Sequence, residues 1–391
     1  MHFSARTNWE TTETDLARAL RERKESGQPV YDLTASNPTH CGFTYDEASI
    51  LAPLAAKEAL IYDPNPQGML LAREAVCTYY RDHGAVVAPA QIVLTTSTSE
   101  AYSYLFRLLC DPGDEVLIAQ PSYPLFDFLA ALDDVKLTPY ALFYDHGWHL
   151  DIEALRQRIT PRTRAIALVH PNNPTGHFTK AHERAQLEAL CVEHNLVLIV
   201  DEVFLDYAFD PAHAQSFATG PHPALTFVLS GLSKIAGLPQ MKAAWISVFG
   251  PAEALKQSLA RLEVIADTFL SMNAPIQHAL PHWLAHRHAI QQQIRQRTAA
   301  SVAMLDELLA QQTMVTRLEV EAGWYAILRI PAIRRDEETA IKLIRESGVS
   351  THPGYFFGLP GDGWLVVSLL TPKTDLKTGL MAIIRAYPGH N

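Results

Sequence analysis

Several things are scarce in this chain. Only four cysteines occur in 391 residues, at Cys41, Cys77, Cys110 and Cys191, with no CxxC spacing. That disfavours a disulfide framework and a cysteine zinc site, and fits a reducing compartment. Charged residues make up 19%, below the roughly 25% usual in soluble domains. The balance is acidic, 32 Lys+Arg against 42 Asp+Glu, a net −10. No basic stripe marks a nucleic-acid surface. No apolar run reaches the ~18 residues of a membrane span. The opening stretch MHFSARTNWETTETDL has no apolar segment of the secretory kind. No GxGxxG follows a strand, and GxxxxGK[ST] and GxSxG are missing, so dinucleotide, P-loop and hydrolase-elbow chemistry lose support. These absences point to an acidic, cytoplasmic enzyme, with no nucleic acid and no membrane as partner.

What is present is ample apolar material, 48% of the chain. Continuous apolar runs stand at Ile92–Leu94, Val116–Ala119, Ala165–Val169, Leu196–Val200, Leu225–Leu229 and Ala243–Val248. Continuity, in place of alternation, predicts strands buried on both faces. Helical patterns lie between and after them, at about 99–110, 123–132, 180–194 and 252–266. Strands alternating with helices predict a mostly parallel central sheet flanked by helices, an α/β fold. Beyond Pro275 a long helical pattern covers about 279–311. Shorter strands follow at 316–321, 324–330 and 364–369. The predicted division is residues 1–44 joining a smaller α+β domain, 45–275 as a large domain and 276–391 as the small C-terminal domain.

Ligands of open α/β sheets sit beyond the carboxyl ends of the strands. After Leu94 comes Thr95-Thr96-Ser97-Thr98-Ser99 at a helix start, either a plain N-cap or an anion site. After Val169 comes the turn His170-Pro-Asn-Asn-Pro-Thr-Gly176, whose amides serve the turn or a ligand. After Val200 comes Asp201, costly at the end of a buried strand unless it meets a cation. After Leu229 comes Ser230-Gly-Leu-Ser-Lys234. A desolvated Lys234 is a nucleophile toward carbonyls, and a solvated one is an ordinary loop lysine. Singly, each has a structural explanation. In this order they are the parts that hold pyridoxal 5'-phosphate (PLP): phosphate donors, a ring-oxygen donor, a carboxylate for the ring nitrogen and a lysine for the aldehyde.

From about Tyr31 to Leu370 the sequence resembles the class I/II aminotransferases, PLP-dependent transferases of fold type I, through NNPTG (172–176), DEVF (201–204) and SGLSK (230–234). The resemblance implies Lys234 as the cofactor-binding lysine and proton shuttle, with Asp201 on the ring nitrogen and Asn173 on the ring oxygen. It implies Tyr123 stacked on the ring and Ser97, Thr98, Ser99 and Lys242 at the phosphate. Tyr62 would reach the phosphate of a neighbouring subunit, which implies a homodimer with shared active sites. Asn37 would border the substrate. No metal is expected. His282 and His286 are best read as a solvated helix face.

The departures from the family pattern matter as much. Phe204 stands where a tyrosine is usual, Lys242 where an arginine is usual, and Gly231 where a serine is usual. Val366 occupies the place of the arginine that clamps the substrate carboxylate. Arg329 and Lys373 are candidate replacements, and His352 and Tyr355 candidate lining residues. The expected activity is amino transfer between an amino acid, apolar or aromatic in preference to dicarboxylic, and a 2-oxo acid. A PLP-dependent lyase, decarboxylase or synthase is the alternative that Val366 raises. A binding module without catalysis is disfavoured by the joint presence of Lys234, Asp201 and Asn173.

Overall fold

All six apolar runs become strands of one sheet. The computed structural model describes residues 1–388 apart from Leu125 and Ser271. Leu125, within the expected 123–132 helix, and residues 389–391 of the expected small domain lie outside the described residues.

The large sheet has eight strands. They are β1 (Ile92–Thr95), β2 (Glu115–Gln120), β3 (Lys136–Tyr144), β4 (Trp148–Leu150), β5 (Thr163–Val169), β6 (Val197–Asp201), β7 (Thr226–Gly231) and β8 (Ala244–Phe249). Their spatial order is β1-β8-β7-β6-β5-β2-β3-β4. The run β7-β6-β5-β2-β3 is parallel. Strand β8 is antiparallel to both β7 and β1, so β1 points the same way as β7. The carboxyl ends of β1, β2, β5, β6 and β7 therefore share one edge. Every residue of β1, β7 and β8 is buried, as their unbroken apolar runs require.

Helices cover both faces. Thr98–Leu109 and Ala252–Phe269 pack on one, through Ala101, Leu105, Leu262 and Ala266. Leu70–Asp82, Ala181–His194 and Ala274–Ala285 cover the other, through Val76, Leu187 and Leu280. The sequence reading missed the hairpin β3–β4, because β3 is largely exposed and its apolar stretch 140–144 follows Pro139, which reads as a strand breaker.

A second, antiparallel sheet contains β9 (Thr316–Arg317), β10 (Tyr325–Arg329), β11 (His352–Pro353) and β12 (Trp364–Ser368), in the order β9-β10-β12-β11. The N-terminal segment joins it. Tyr31–Asp32 pairs in parallel with Val349–Ser350, and the Ser368 N–H donates to the Leu33 carbonyl at 2.7 Å.

Two expected elements differ. The helix expected over 279–311 is two helices, Ala274–Ala285 and His288–Leu309. At the break the buried Arg287 donates to the Leu284 carbonyl and to Asp82, both at 2.7 Å. The expected strand 316–321 stops at Arg317. Its far end is drawn to the large sheet, where the Glu321 carboxylate accepts the Phe178 N–H and pairs with Lys180.

Candidate active site

Three neighbouring parallel strands deliver the central residues. Asp201 is the last residue of β6, Lys234 follows β7 on the short helix Leu232–Ile235, and Asn173 lies in the turn after β5. Adjacent strands lie about 4.8 Å apart, so residues just past their ends are within reach of one another.

The DE pair divides its labour by partners. The buried Glu202 carboxylate accepts Ser216 Oγ at 2.7 Å and the Phe217 N–H at 2.5 Å, which makes it a structural anchor. Asp201 is also buried, but among the described residues its carboxylate accepts only the Val203 N–H, at 3.1 Å. Burial pushes its carboxyl up to about 7. The Val203 N–H and the Lys234 charge pull the other way, with the nearby Tyr102 hydroxyl. Lys234 is brought down to about 8 by desolvation, and Asp201 opposes that shift. Lys234 Nζ lies 5.0 Å from the Trp324 ring and 5.7 Å from the Phe204 ring. Its backbone carbonyl accepts the Tyr207 hydroxyl at 2.5 Å, which fixes the lysine from behind.

The NNPTG turn is pinned by its first asparagine. Asn172 Nδ2 donates to the Pro121 carbonyl at 3.1 Å and to Thr175 Oγ1 at 2.9 Å. Gly176 is required twice over, by a φ of +71° and by the Ala322 carbonyl that a Cβ would strike. Asn173 is left free. It is 8% exposed and its amide oxygen has no partner. A buried amide without a partner costs about 1–3 kcal/mol unless a ligand satisfies it.

At the end of β1, Ser97 caps the helix Thr98–Leu109, its Oγ accepting the Glu100 N–H at 3.1 Å. Ser97 is thus the N-cap, and Thr98 and Ser99 stand in the first turn, where helix N–H groups favour an anion. The Glu100 carboxylate accepts Thr96 N–H and Oγ1. Lys242 is exposed and left-handed, with φ +53°. Tyr123, after β2, is 41% exposed and meets Phe126 edge-on at 6.3 Å. Together an acceptor awaiting a cation, a buried free amide, a lysine held near neutrality and a helix N-terminus form a set that fits PLP.

Other expected positions lie further out. Tyr62 is 78% exposed, in an irregular segment, and no bond joins it to these residues. Asn37 is exposed, and its amide oxygen is spent on the Thr39 N–H and Oγ1. Arg329 does not reach this centre. Tyr325, Ile327 and Arg329 share one face of β10, and Arg329 is four residues beyond Tyr325, about 13 Å along the strand. It is exposed there, with its guanidinium 5.8 Å from the Trp364 ring. Lys373 is exposed at the start of the helix Lys373–Ala386. Val366 is fully buried, opposite Ile327 and His352. Gly231 also has its reason: a Cβ there would lie 2.9 Å from the Ala244 Cβ.

Sequence reasoning overlooked Tyr102, Tyr207 and Tyr325. Tyr102 and Tyr207 are buried, and nothing local in the sequence marks their hydroxyls. Tyr325 carried one signal, its place beside Trp324 at the start of a small-sheet strand. His282 and His286 stack at 4.0 Å, and His282 Nε2 meets Ser49 Oγ at 2.8 Å. Among the described residues no group of three His, Cys, Asp or Glu is placed to hold a metal, and no helix is long and apolar enough to cross a membrane.

Known proteins match this chain in sequence and in fold. The chain is 26% identical over 388 residues to the glutamate-pyruvate aminotransferase AlaA of Escherichia coli strain K12, covering 96% of this chain and 95% of that one. It is 29% identical over 272 residues to the alanine aminotransferase of Mycobacterium bovis, covering 68% and 62%. A crystal structure of an aminotransferase from Escherichia coli superposes with a TM-score of 0.87 at 25% identity, covering 98% of both chains. The alanine aminotransferase of Pyrococcus furiosus shares the fold, with a TM-score of 0.88 at 23% identity over 98% of this chain and 99% of that one. The family profile "Aminotransferase class I and II" matches residues 47–383, and the chain belongs to that family of PLP-dependent, fold-type-I enzymes.

Proposed function

We propose that this aminotransferase works with Lys234 and Asp201 as its catalytic pair and prefers an apolar or aromatic amino acid to a dicarboxylic one. The observation that carries the reading is the buried, under-partnered Asp201, which feels the charge of a Lys234 whose Nζ lies over the Phe204 and Trp324 rings. PLP supplies an electrophilic aldehyde and a ring that takes up charge developing at the substrate α-carbon. Asp201 keeps the ring nitrogen protonated, its own desolvation cost offset by that cation. Asn173 donates to the ring oxygen, without help from the hydroxyl that Phe204 lacks. The amine of Lys234, poised near neutrality, would move the proton from the substrate α-carbon to the cofactor carbon that takes up the amino group. Phe204 and Trp324 shield that amine from water. The helix start at Ser97, Thr98 and Ser99, with Lys242, holds the phosphate, and Tyr123 covers one ring face. Asn37 borders the substrate.

We infer a homodimer in which Tyr62 serves the other subunit's phosphate. Leu60, Ile61 and Tyr62 are 90%, 68% and 78% exposed, a patch suited to an interface. Cytoplasmic residence is supported by four free cysteines. We divide the chain at about residues 44 and 275, with the helix Ala274–Ala285 seated on the large sheet's side.

The relatives are named as aminotransferases, which does not favour the lyase alternative. The test is the visible absorbance of the PLP-loaded protein, followed while single amino acids and then 2-oxo acids are added. The expected result is a band absent in Lys234→Ala, bleached by an amino acid and restored by a 2-oxo acid. Release of ammonia or an amine in place of restoration would refute amino transfer.

A further inference from the structure

An amino-acid substrate brings a carboxylate into a site that excludes water, and a desolvated carboxylate needs a cationic donor. Among the described residues the cations around the small-sheet wall are either exposed to solvent or hydrogen-bonded elsewhere. Arg329 is exposed beside Trp364 about 13 Å along β10 from Tyr325. Lys373 is exposed. Arg297 donates to the Cys41 and Leu370 carbonyls at 3.2 and 2.9 Å and lies 5.0 Å from the Phe43 ring.

One ionisable ring remains on that wall. His352 pairs directly across from the buried Val366, and directly opposed residues of an antiparallel pair present side chains to the same face. The ring is half-buried, and neither nitrogen has a hydrogen-bond partner among the described residues. It is held by aromatics, stacked on Phe356 at 5.2 Å and edge-on to Phe357 at 5.5 Å. Phe357 leads toward the catalytic centre. Its ring lies 5.9 Å from Tyr325, and its carbonyl accepts the Ser122 N–H at 2.9 Å, next to Tyr123.

We propose that His352 is the substrate-carboxylate donor of this enzyme, a single imidazole N–H in an otherwise apolar and aromatic wall. The inference rests on the aminotransferase reading of the site. Its consequence is a clamp with one donor, which discriminates against a second carboxylate and works best when the ring is protonated. Burial lowers the ring's proton affinity, and the Asp32 charge raises it. The other acids on neighbouring elements are engaged: Asp336 accepts the Gly363 and Trp364 N–H groups, and Glu337 the Tyr355 hydroxyl. On balance burial holds the ring below the ordinary imidazole value; a bound carboxylate raises its proton affinity, so carboxylate binding is strong at low pH and fades as pH rises through the ring's titration.

The test uses PLP-loaded protein with propanoate and 3-phenylpropanoate as probes, carboxylates that have no amine and cannot react. Their dissociation constants are measured by competition across pH for wild type, His352→Gln and His352→Arg. Loss of one charge-assisted bond predicts about ten- to hundredfold weaker binding in His352→Gln. His352→Arg should bind at least as tightly as wild type and lose the pH dependence. Retention of the Lys234-dependent absorbance in all three proteins separates a failure of this inference from a failure of the PLP site. Binding by His352→Gln within twofold of wild type, a pH-independent wild type, or no carboxylate binding by wild type would each overturn the proposal.

Discussion

Replacing Asp201 with asparagine should stabilise the cofactor-free protein while weakening its hold on PLP. Burial raises the carboxyl from 3.8 to about 7, about three pH units, or about 4 kcal/mol at roughly 1.36 kcal/mol per unit. A group whose folded pKa lies above its unfolded value favours folding below the unfolded value, and that benefit is lost as pH rises through the folded one. The cost therefore grows between about pH 4 and pH 7. Lys234, depressed to about 8, has its own window above that, and Glu202, also raised to about 7 by burial, is common to both proteins, so the difference between variant and wild type at about pH 5 and pH 7.5 reports on the Asp201 carboxylate. Integrated between those points, the stability difference between Asp201→Asn and wild type should shift by about 2–3 kcal/mol in favour of the variant. Urea unfolding of cofactor-free protein, followed by circular dichroism, gives the difference directly. In the loaded protein the order reverses, because the carboxylate then faces a cation. PLP affinity of the variant should fall by about ten- to hundredfold. A stability difference that stays flat with pH would refute the claim that an uncompensated buried charge is stored at this site.

Three further outcomes follow from the geometry. Tyr207→Phe removes the 2.5 Å bond to the Lys234 carbonyl and should lower stability by about 1–3 kcal/mol, with a lower kcat; unchanged stability by urea titration would show that bond to be idle. Gly231→Ser forces an atom to 2.9 Å from the Ala244 Cβ and should cost about 1–3 kcal/mol by overpacking, and a paired Ala244→Gly should recover most of it. Aspartate should be a poor donor, because the segment 268–273 carries no arginine for its second carboxylate and among the described residues none is joined to Lys234 or Asp201; kcat/KM for aspartate equal to that for alanine or phenylalanine would contradict the pocket described.

The six continuous apolar runs were readable as strands because burial on both faces leaves no polar position along them. Hairpin β3–β4 was not, since β3 is largely exposed and carries Pro139 in its middle. The long helical pattern after Pro275 was readable as helix but not as two. The break at Arg287 is set by a partner, Asp82, some 200 residues away in the chain.

The candidate site divides along the same line. The sequence by itself determined which chemical groups are available: Lys234, Asp201, Asn173, the helix start at Ser97–Ser99 and the absence of an arginine at Val366. Those are identities at strand ends, fixed by local order. Only the tertiary structure decided which acid of the pair Asp201–Glu202 is satisfied. Ser216 and Phe217 reach Glu202 and not Asp201. It also decided that Arg329 stands beside Trp364, away from the catalytic residues, and that His352 faces Val366. Strand register and cross-strand neighbours are properties of pairing between distant segments, and no local pattern encodes them.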